Sequence, residues 1–406
     1  MSLNIRPIMS ALLRNRTGAT LVALQIALAL AILVNAAYVV KQRIDMLTAP
    51  TGMDDHNMFA IEFEGFTQRY NFDTSMQEDL AYLRGLDGVV SASASNNIPE
   101  SGGGSSLFLY KTPAKRSADA VWAAIYEMDE HGLETLGTHL IAGRAFRKEE
   151  ILPPLTPENQ LRPVPQIIVT QALAQELFPD GNALGKTTYD PMGRPVAITG
   201  IVANMRGPYT HDPFKQRVFW APQLPRVFGL VYLVRTRPGQ LERVMRIATE
   251  HLRSSNVNRV IEAARSIDTY KERSYQSDRI TAIVLTFVTC LLIAVAALGI
   301  FGLTTFNVST RTKQIGTRRA VGARKRDIIR HFLVENALVT SAGIVAGCVM
   351  ALGVGYWLSV QYNLPRLDLY YLVGGVLALW GIGQLAAWQP ARRAATVPPS
   401  VATRTA

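Results

Sequence analysis

Residues 181–187 read Gly-Asn-Ala-Leu-Gly-Lys-Thr, close to the glycine-rich loop that cradles phosphates ahead of a Lys and a Thr. The spacing fails. Such a loop needs four residues between its glycines, and Gly181 and Gly185 enclose only three. A helical pattern also precedes the segment where a strand is required, so a turn ending in Gly185 is expected. The histidines are His56, His131, His139, His211, His251 and His331, and none forms a HExxH motif or a close metal pair. No Gly-x-Ser-x-Gly elbow occurs. Cys290 and Cys348 rule out a disulfide framework or a cysteine-rich zinc site. No catalytic constellation emerges, and a non-enzymatic role is expected.

The elements that position any functional surface follow from hydropathy. The chain has 406 residues, of which 48% are hydrophobic and 18% charged. An average soluble protein carries roughly 25% charged residues, so a purely soluble enzyme is disfavoured. Four segments have the length and apolarity of a bilayer-spanning helix: 19–40, 280–306, 332–360 and 370–388. Only the third contains a charge, Glu335 near its start. The first span is longer than the apolar core of a signal peptide, so a retained anchor is expected.

The formal charge is +11. Such a surplus suits either nucleic acid or membrane topology. Its placement decides. Arg6, Arg14 and Arg16 precede the first span; Arg311, Lys313, Arg318, Arg319, Arg324, Lys325, Arg326 and Arg330 lie between the second and third; Arg392, Arg393 and Arg404 follow the fourth. The loop between the third and fourth spans has Arg366 set against Asp368, and block 41–279 holds 27 basic and 28 acidic residues. The excess therefore sits on one side of the membrane, which predicts cytoplasmic termini and an extracytoplasmic block. No nucleic-acid partner is expected; the lipid bilayer is.

Within the block, two stretches look alike. One reads strand 58–63, helix 75–84, strand 89–94; the other strand 230–236, helix 241–253, strand 260–264. Each is a βαβ-like unit, and together they predict one α+β subdomain beside the membrane. An insert, about 107–222, lies between them. Its expected strands are 121–128, 167–170, 196–202 and 217–220, and its expected helices 131–136 and 171–177. Residues 101–106, Ser-Gly-Gly-Gly-Ser-Ser, read as a flexible joint, and 149–165 as an irregular proline-rich loop. Residues 270–279 contain no breaker, so the second span is expected to project as a stalk.

Polar residues within the spans are Gln25, Asn35, Glu335, Asn336 and Gln384. Scattered and mostly near span ends, they fit interhelical hydrogen bonding better than a polar conduit. Gly343 and Gly347 stand four apart in the third span and predict close helix contact, within one chain or between protomers.

The loop between the second and third spans is the most informative segment. Residues 312–321 form a short amphipathic helix broken at Gly322, and a new helix starts near Arg324. Such a helix held between two membrane helices is a lever whose cations suit carboxylates on a partner. The run Thr312-Lys313-Gln314-Ile315-Gly316-Thr317-Arg318-Arg319-Ala320-Val321-Gly322-Ala323-Arg324-Lys325-Arg326-Asp327-Ile328, continuing to Phe332-Leu333-Val334-Glu335, resembles the signature of FtsX-like permeases. The large block resembles the MacB-type periplasmic core in Leu133-Glu134-Thr135-Leu136-Gly137, in Ala142-Gly143-Arg144-Ala145-Phe146, in Ile168-Val169-Thr170-Gln171-Ala172-Leu173-Ala174 with Leu177-Phe178-Pro179, and in Leu184-Gly185-Lys186. Gln314 stands where the family usually has Glu, and Asn336 where it often has Ala.

The resemblance implies the membrane subunit of a type VII ABC transporter: an α-helical membrane protein with four transmembrane helices and a large α+β periplasmic domain. The implied organisation is a cytoplasmic N-terminus 1–18, a core domain 41–279 with porter-like parts about 41–106 and 223–270 and a sabre-like insert 107–222, a cytoplasmic loop 307–331 and a tail 389–406, with the FtsX-like region about 280–399. The implied coupling residues are Lys313, Gln314, Ile315, Gly316, Arg318, Arg319, Ala320, Gly322, Ala323, Arg326 and Asp327. The chain has no nucleotide motif and 18 residues before its first span. ATP and Mg are therefore expected on a separate ATPase partner, and no cofactor on this chain. The resemblance further implies a second permease protomer and, for efflux, a periplasmic adaptor with a TolC-like outer-membrane channel. Export of antibiotics or peptides, lipoprotein release of the LolC/LolE type, and FtsX-type activation of a cell-wall hydrolase share this topology. The insert wording favours the first.

Overall fold

A computed structural model describes residues 16–65, 71–114, 116–154, 163–210, 214–225, 230–362 and 367–398. Arg6, Arg14, His211, Arg366 and Arg404 lie outside them, as does part of the 149–165 loop. Two compact units are present, Ala49–Ser277 and a helical unit formed by Met1–Thr48 with Asp278–Ala406.

In chain order the helical unit begins with α1, Arg16–Thr48. The α+β unit follows: β1 Met58–Gly65, α2 Phe72–Gly85, β2 Val89–Ser95, β3 Ser106–Tyr110, β4 Ala120–Met128, α3 Gly132–Leu136, β5 Leu140–Gly143, β6 Gln166–Thr170, α4 Gln171–Leu177, β7 Thr187–Tyr189, β8 Pro195–Val202, β9 Val218–Pro222, β10 Val231–Thr236, α5 Leu241–Ser255, β11 Arg259–Ser266 and α6 Ile267–Ser274. The chain then continues through α7 Gln276–Thr310, α8 Thr312–Ala320, α9 Lys325–Tyr362 and α10 Leu369–Ala394.

The two βαβ-like stretches make one four-stranded sheet in the order β11-β1-β10-β2. Its strands are interleaved. β10 lies between β1 and β2, and β1 lies between β10 and β11, all neighbours antiparallel. This is a split βαβ arrangement. Period-two alternation sends Phe59, Ile61, Tyr232 and Val234 to the face covered by α2 and α5, where Leu80, Leu83, Val244 and Leu252 meet them. Met58, Ala60, Val231 and Leu233 take the other face and pack with Tyr126, Met128, Met205 and Trp220. Burial of both faces explains why β1 reads as a nearly continuous apolar run.

Arg259 and Asp79 are buried within this layer. The Arg259 guanidinium pairs with the Asp79 carboxylate through both terminal nitrogens, and its Nε donates to the Leu252 carbonyl at 2.9 Å. The Tyr232 hydroxyl donates to the same carboxylate at 2.8 Å. One ion pair thus ties α2, the end of α5, β10 and β11.

The insert is a seven-stranded mixed sheet, β5-β8-β6-β9-β4-β3-β7. β7 pairs with both β3 and β8, so the sheet closes on itself. Sequence periodicity locates β4, β6, β8, β9 and both helices within a residue or two, and misses β3, β5 and β7. β5 and β7 are only four and three residues long, and the apolar residues of β3 and β5 are contiguous rather than alternating, so no period-two pattern marks them. The 181–187 segment is a turn. Gly185 N–H donates to the Ile198 carbonyl at 2.8 Å, and Lys186 is held by Asp180. Its lysine is occupied, and no strand feeds it.

Residues 101–106 are not a free joint. The Asn97 side chain accepts from Ser105 N–H at 2.7 Å and donates to the Ser105 and Ile125 carbonyls at 3.1 and 2.7 Å. A Cβ at Gly104 would run into the Asn97 carboxamide. The glycine serves close approach rather than flexibility.

The second span also departs from expectation. The helix breaks at Tyr275 (φ −92°, ψ 2°), so α6 and α7 are separate elements instead of one stalk from residue 270. The Tyr275 ring is buried and its hydroxyl donates to Glu100 Oε2 at 3.2 Å, with Arg206 Nη1 3.3 Å away. Glu100 is itself fully buried in the left-handed region (φ 56°), with Arg206 Nη1 at 3.5 Å. Burial pushes the Glu100 carboxyl above the ordinary glutamate value of 4.5, against the opposing pull of Arg206. The sign follows. A carboxyl raised in the folded state contributes stability that is complete below about pH 4.5 and is lost as pH rises through its folded value. Glu150 has the opposite sign. Its pairing with Arg144 lowers it to about 2, so its contribution is present above about pH 4.5 and lost below. The two windows do not overlap. In Glu100→Gln the fall in unfolding free energy above pH 4.5 should flatten, by at most about 1.4 kcal/mol per pH unit. The acid limb should not change, and an unaltered upper limb would show that Glu100 stays ionised on folding.

Among the described residues four helices are long and apolar enough to cross a membrane: Thr17–Gln42, Gln276–Thr310, Lys325–Gln361 and Leu369–Ala394. Val22, Ile26, Leu30 and Val34 of α1 form a buried stripe with Ile300, Val339 and Leu379. Gly343 and Gly347 both face α1. A Cβ at 343 would lie 2.6 Å from the Ala23 carbonyl oxygen, and one at 347 would lie 3.0 Å from Ala27 Cα. The contact is within one chain. The polar residues of the spans mostly bridge helices as well. Asn35 donates to the Ala31 and Ala351 carbonyls at 2.9 and 3.2 Å, and Asn336 to the Gly383 carbonyl at 2.9 Å. Gln25 rests against Gly299.

Candidate coupling site

α8 is short, and its ends are specified locally. Gly322 at φ 99° closes it: Gly322 N–H donates to the Arg319 carbonyl at 3.1 Å and Ala323 N–H to the Arg318 carbonyl at 3.0 Å. This is a Schellman motif, whose left-handed position favours glycine. Asp327 then accepts from Arg324 N–H at 3.0 Å and caps the start of α9.

Ile315 and Gly316 face inward. Ile315 is buried with Ile328 and Phe332 of α9 and with Ala391, Ala394 and Ala395 at the end of α10. Arg311, just before α8, reaches the buried Glu335 of α9 at 3.0 Å. α8 is therefore fixed to the ends of two membrane helices by an apolar cluster and an ion pair.

Its outer face is cationic. Lys313, Gln314, Arg318, Ala320, Gly322, Arg326 and Asp327 are exposed, and Ala323 is partly covered. Among the described residues neither Lys313 nor Arg318 has an ion-pair partner. Arg319 differs from the other basic residues. It is half-buried and donates through Nη1 to the Val397 carbonyl at 2.6 Å, so it ties α8 to the chain beyond α10. Sequence spacing gave no sign of that bond, because its acceptor is a backbone carbonyl far along the chain. Val321, within the same motif, is 85% exposed at the tip of the turn. An exposed apolar tip beside cations suits contact with carboxylates and apolar groups of another protein.

Among the described residues no group of His, Cys, Asp or Glu is arranged to hold a metal ion.

Residues 286–399 match the family described as FtsX-like permease C-terminal. The chain is 24% identical over 269 residues to the macrolide export ATP-binding/permease protein MacB of Chromobacterium violaceum, covering 65% of this chain and 40% of that protein. It is 23% identical over 339 residues to the uncharacterized ABC transporter permease YknZ of Bacillus subtilis, covering 82% of this chain and 79% of that one. The crystal structure of the periplasmic region of MacB from Actinobacillus actinomycetemcomitans aligns with 56% of this chain and 97% of that region, at TM-score 0.34 and 16% identity. The chain thus spans less than half the length of the macrolide export relative. The permease match falls on α7 to α10, the helices that carry and clamp the cationic α8, and together with the MacB and YknZ relatives it supports a MacB-type, FtsX-like ABC permease.

Proposed function

We propose that this permease transmits ATP hydrolysis on a separate ATPase chain to its α+β unit, driving export of antibiotics, peptides or similar substrates. The observation that carries this reading is the cationic outer face of α8, locked by Ile315 to α9 and α10. A push on α8 reaches two membrane helices through packed side chains. Exposed apolar residues along α7, among them Ile283, Phe287 and Leu291, suit a second protomer or lipid. The basic excess around α8 supports cytoplasmic termini and a periplasmic α+β unit. In this reading the split sheet is the porter-like part and the seven-stranded insert the sabre-like part. One relative is named for macrolide export, which supports the substrate class.

The test begins with a mild-detergent pull-down from native membranes, which should recover an ABC ATPase. Lys313→Glu with Arg318→Glu should then lower stimulation of that ATPase by about tenfold or more while membrane insertion is preserved. Full stimulation by that variant would exclude α8 as the coupling element. Arg319→Glu is a poorer probe, since it also breaks the bond to Val397.

A further inference from the structure

Between α9 and α10, at the end of the helical unit that carries α8, lies a groove of about 830 Å³. Its walls are apolar and aromatic: Ile329, Leu333, Trp380, Leu385 and Trp388. Its mouth is different. Arg326 and Arg330 lie one turn apart on α9 and are exposed. Among the described residues neither has an ion-pair or hydrogen-bond partner for its guanidinium. The groove reaches from Arg326 to Ala337, about 16 Å along the helix. Trp388 lies level with the cations, as an interfacial tryptophan does.

We propose that this groove holds one anionic phospholipid, with its phosphate between Arg326 and Arg330 and an acyl chain along Leu333 and Trp380. Basic pockets between membrane helices favour such headgroups, and guanidinium groups bind phosphate in a bidentate manner. A second copy of this chain is a poorer occupant. The helical unit's carboxylates are Asp45, Asp278, Asp327, Glu335 and Asp368. Only Asp327 and Glu335 lie at this end. The first caps α9, and the second is buried against Arg311. Another protomer would bring apolar surface but no free carboxylate to neutralise the pair, whereas a bilayer supplies both phosphate and hydrocarbon. The inference requires only that the helical unit lie in a membrane, and so stands or falls apart from ATPase coupling.

Tryptophan quenching by brominated lipid tests it. The full chain, with Trp357→Phe to remove another membrane tryptophan, is placed without any partner in phosphatidylcholine vesicles. These contain either dibrominated phosphatidylglycerol or dibrominated phosphatidylcholine at equal mole fraction. Trp380 and Trp388 should report preferential occupancy by the anionic lipid, about thirtyfold if each arginine contributes as an interfacial cation does. Arg326→Gln with Arg330→Gln should abolish the preference, while the lysine pair at the same positions retains most of it. Equal quenching by the two lipids would overturn the proposal, because the groove would then meet only bulk bilayer. Absence of quenching by either lipid would also overturn it, by showing that protein covers the groove.

Discussion

Replacing Arg259 with methionine should lower the unfolding midpoint of the α+β unit by about 10 °C, from a loss of about 3–5 kcal/mol. The argument is one of solvation. Asp79 stays folded away from water with a full charge, held by the Tyr232 hydroxyl but no longer by a cation. The Leu252 carbonyl loses its donor at the same time. Asp79→Asn combined with Arg259→Met should recover part of the loss, because no net charge is then stranded. Thermal unfolding of the full chain in detergent, followed for the single and double variants, measures the coupling directly. A single variant within about 1 kcal/mol of the parent would mean that water enters the site and screens Asp79.

Gly343→Ala and Gly347→Ala should destabilise the helical unit by about 1–3 kcal/mol each, and more where backbone cannot yield. A methyl group at 343 meets a carbonyl oxygen at 2.6 Å, so α1 must shift as a whole. Gly353→Ala on the same helix is the control, since a Cβ there meets nothing within 4 Å. The two classes should separate in the temperature at which detergent-solubilised protein leaves the monodisperse peak. Equal behaviour would mean that α1 and α9 are not closely packed in the membrane.

Apolar length made the four long helices readable from sequence, because a bilayer imposes one dimension on every span. Gly322 and the cations around it marked the turn and the exposed face of α8 for similarly local reasons. What escaped was set by partners distant in sequence. The break at Tyr275 contains no glycine or proline; its ring is held by Glu100 and Arg206. The inward turn of Arg319 depends on Val397, and the tethering of residues 101–106 on the Asn97 side chain. The order of the split sheet was hidden too, since alternation along β1 identifies two buried faces without naming the neighbours.

That interleaving has a consequence for biosynthesis. β1 and β2 are not paired with each other, and the strands they do pair with are β10 and β11. A nascent chain that has emerged as far as β9 therefore holds two unpaired strands while the insert that follows them can already close its own sheet. Such edges invite mispairing with other chains. Pairing strands separated by the whole insert carries the loop-closure cost that slows folding, and β1 and β2 keep open edges until β10 is in place between them.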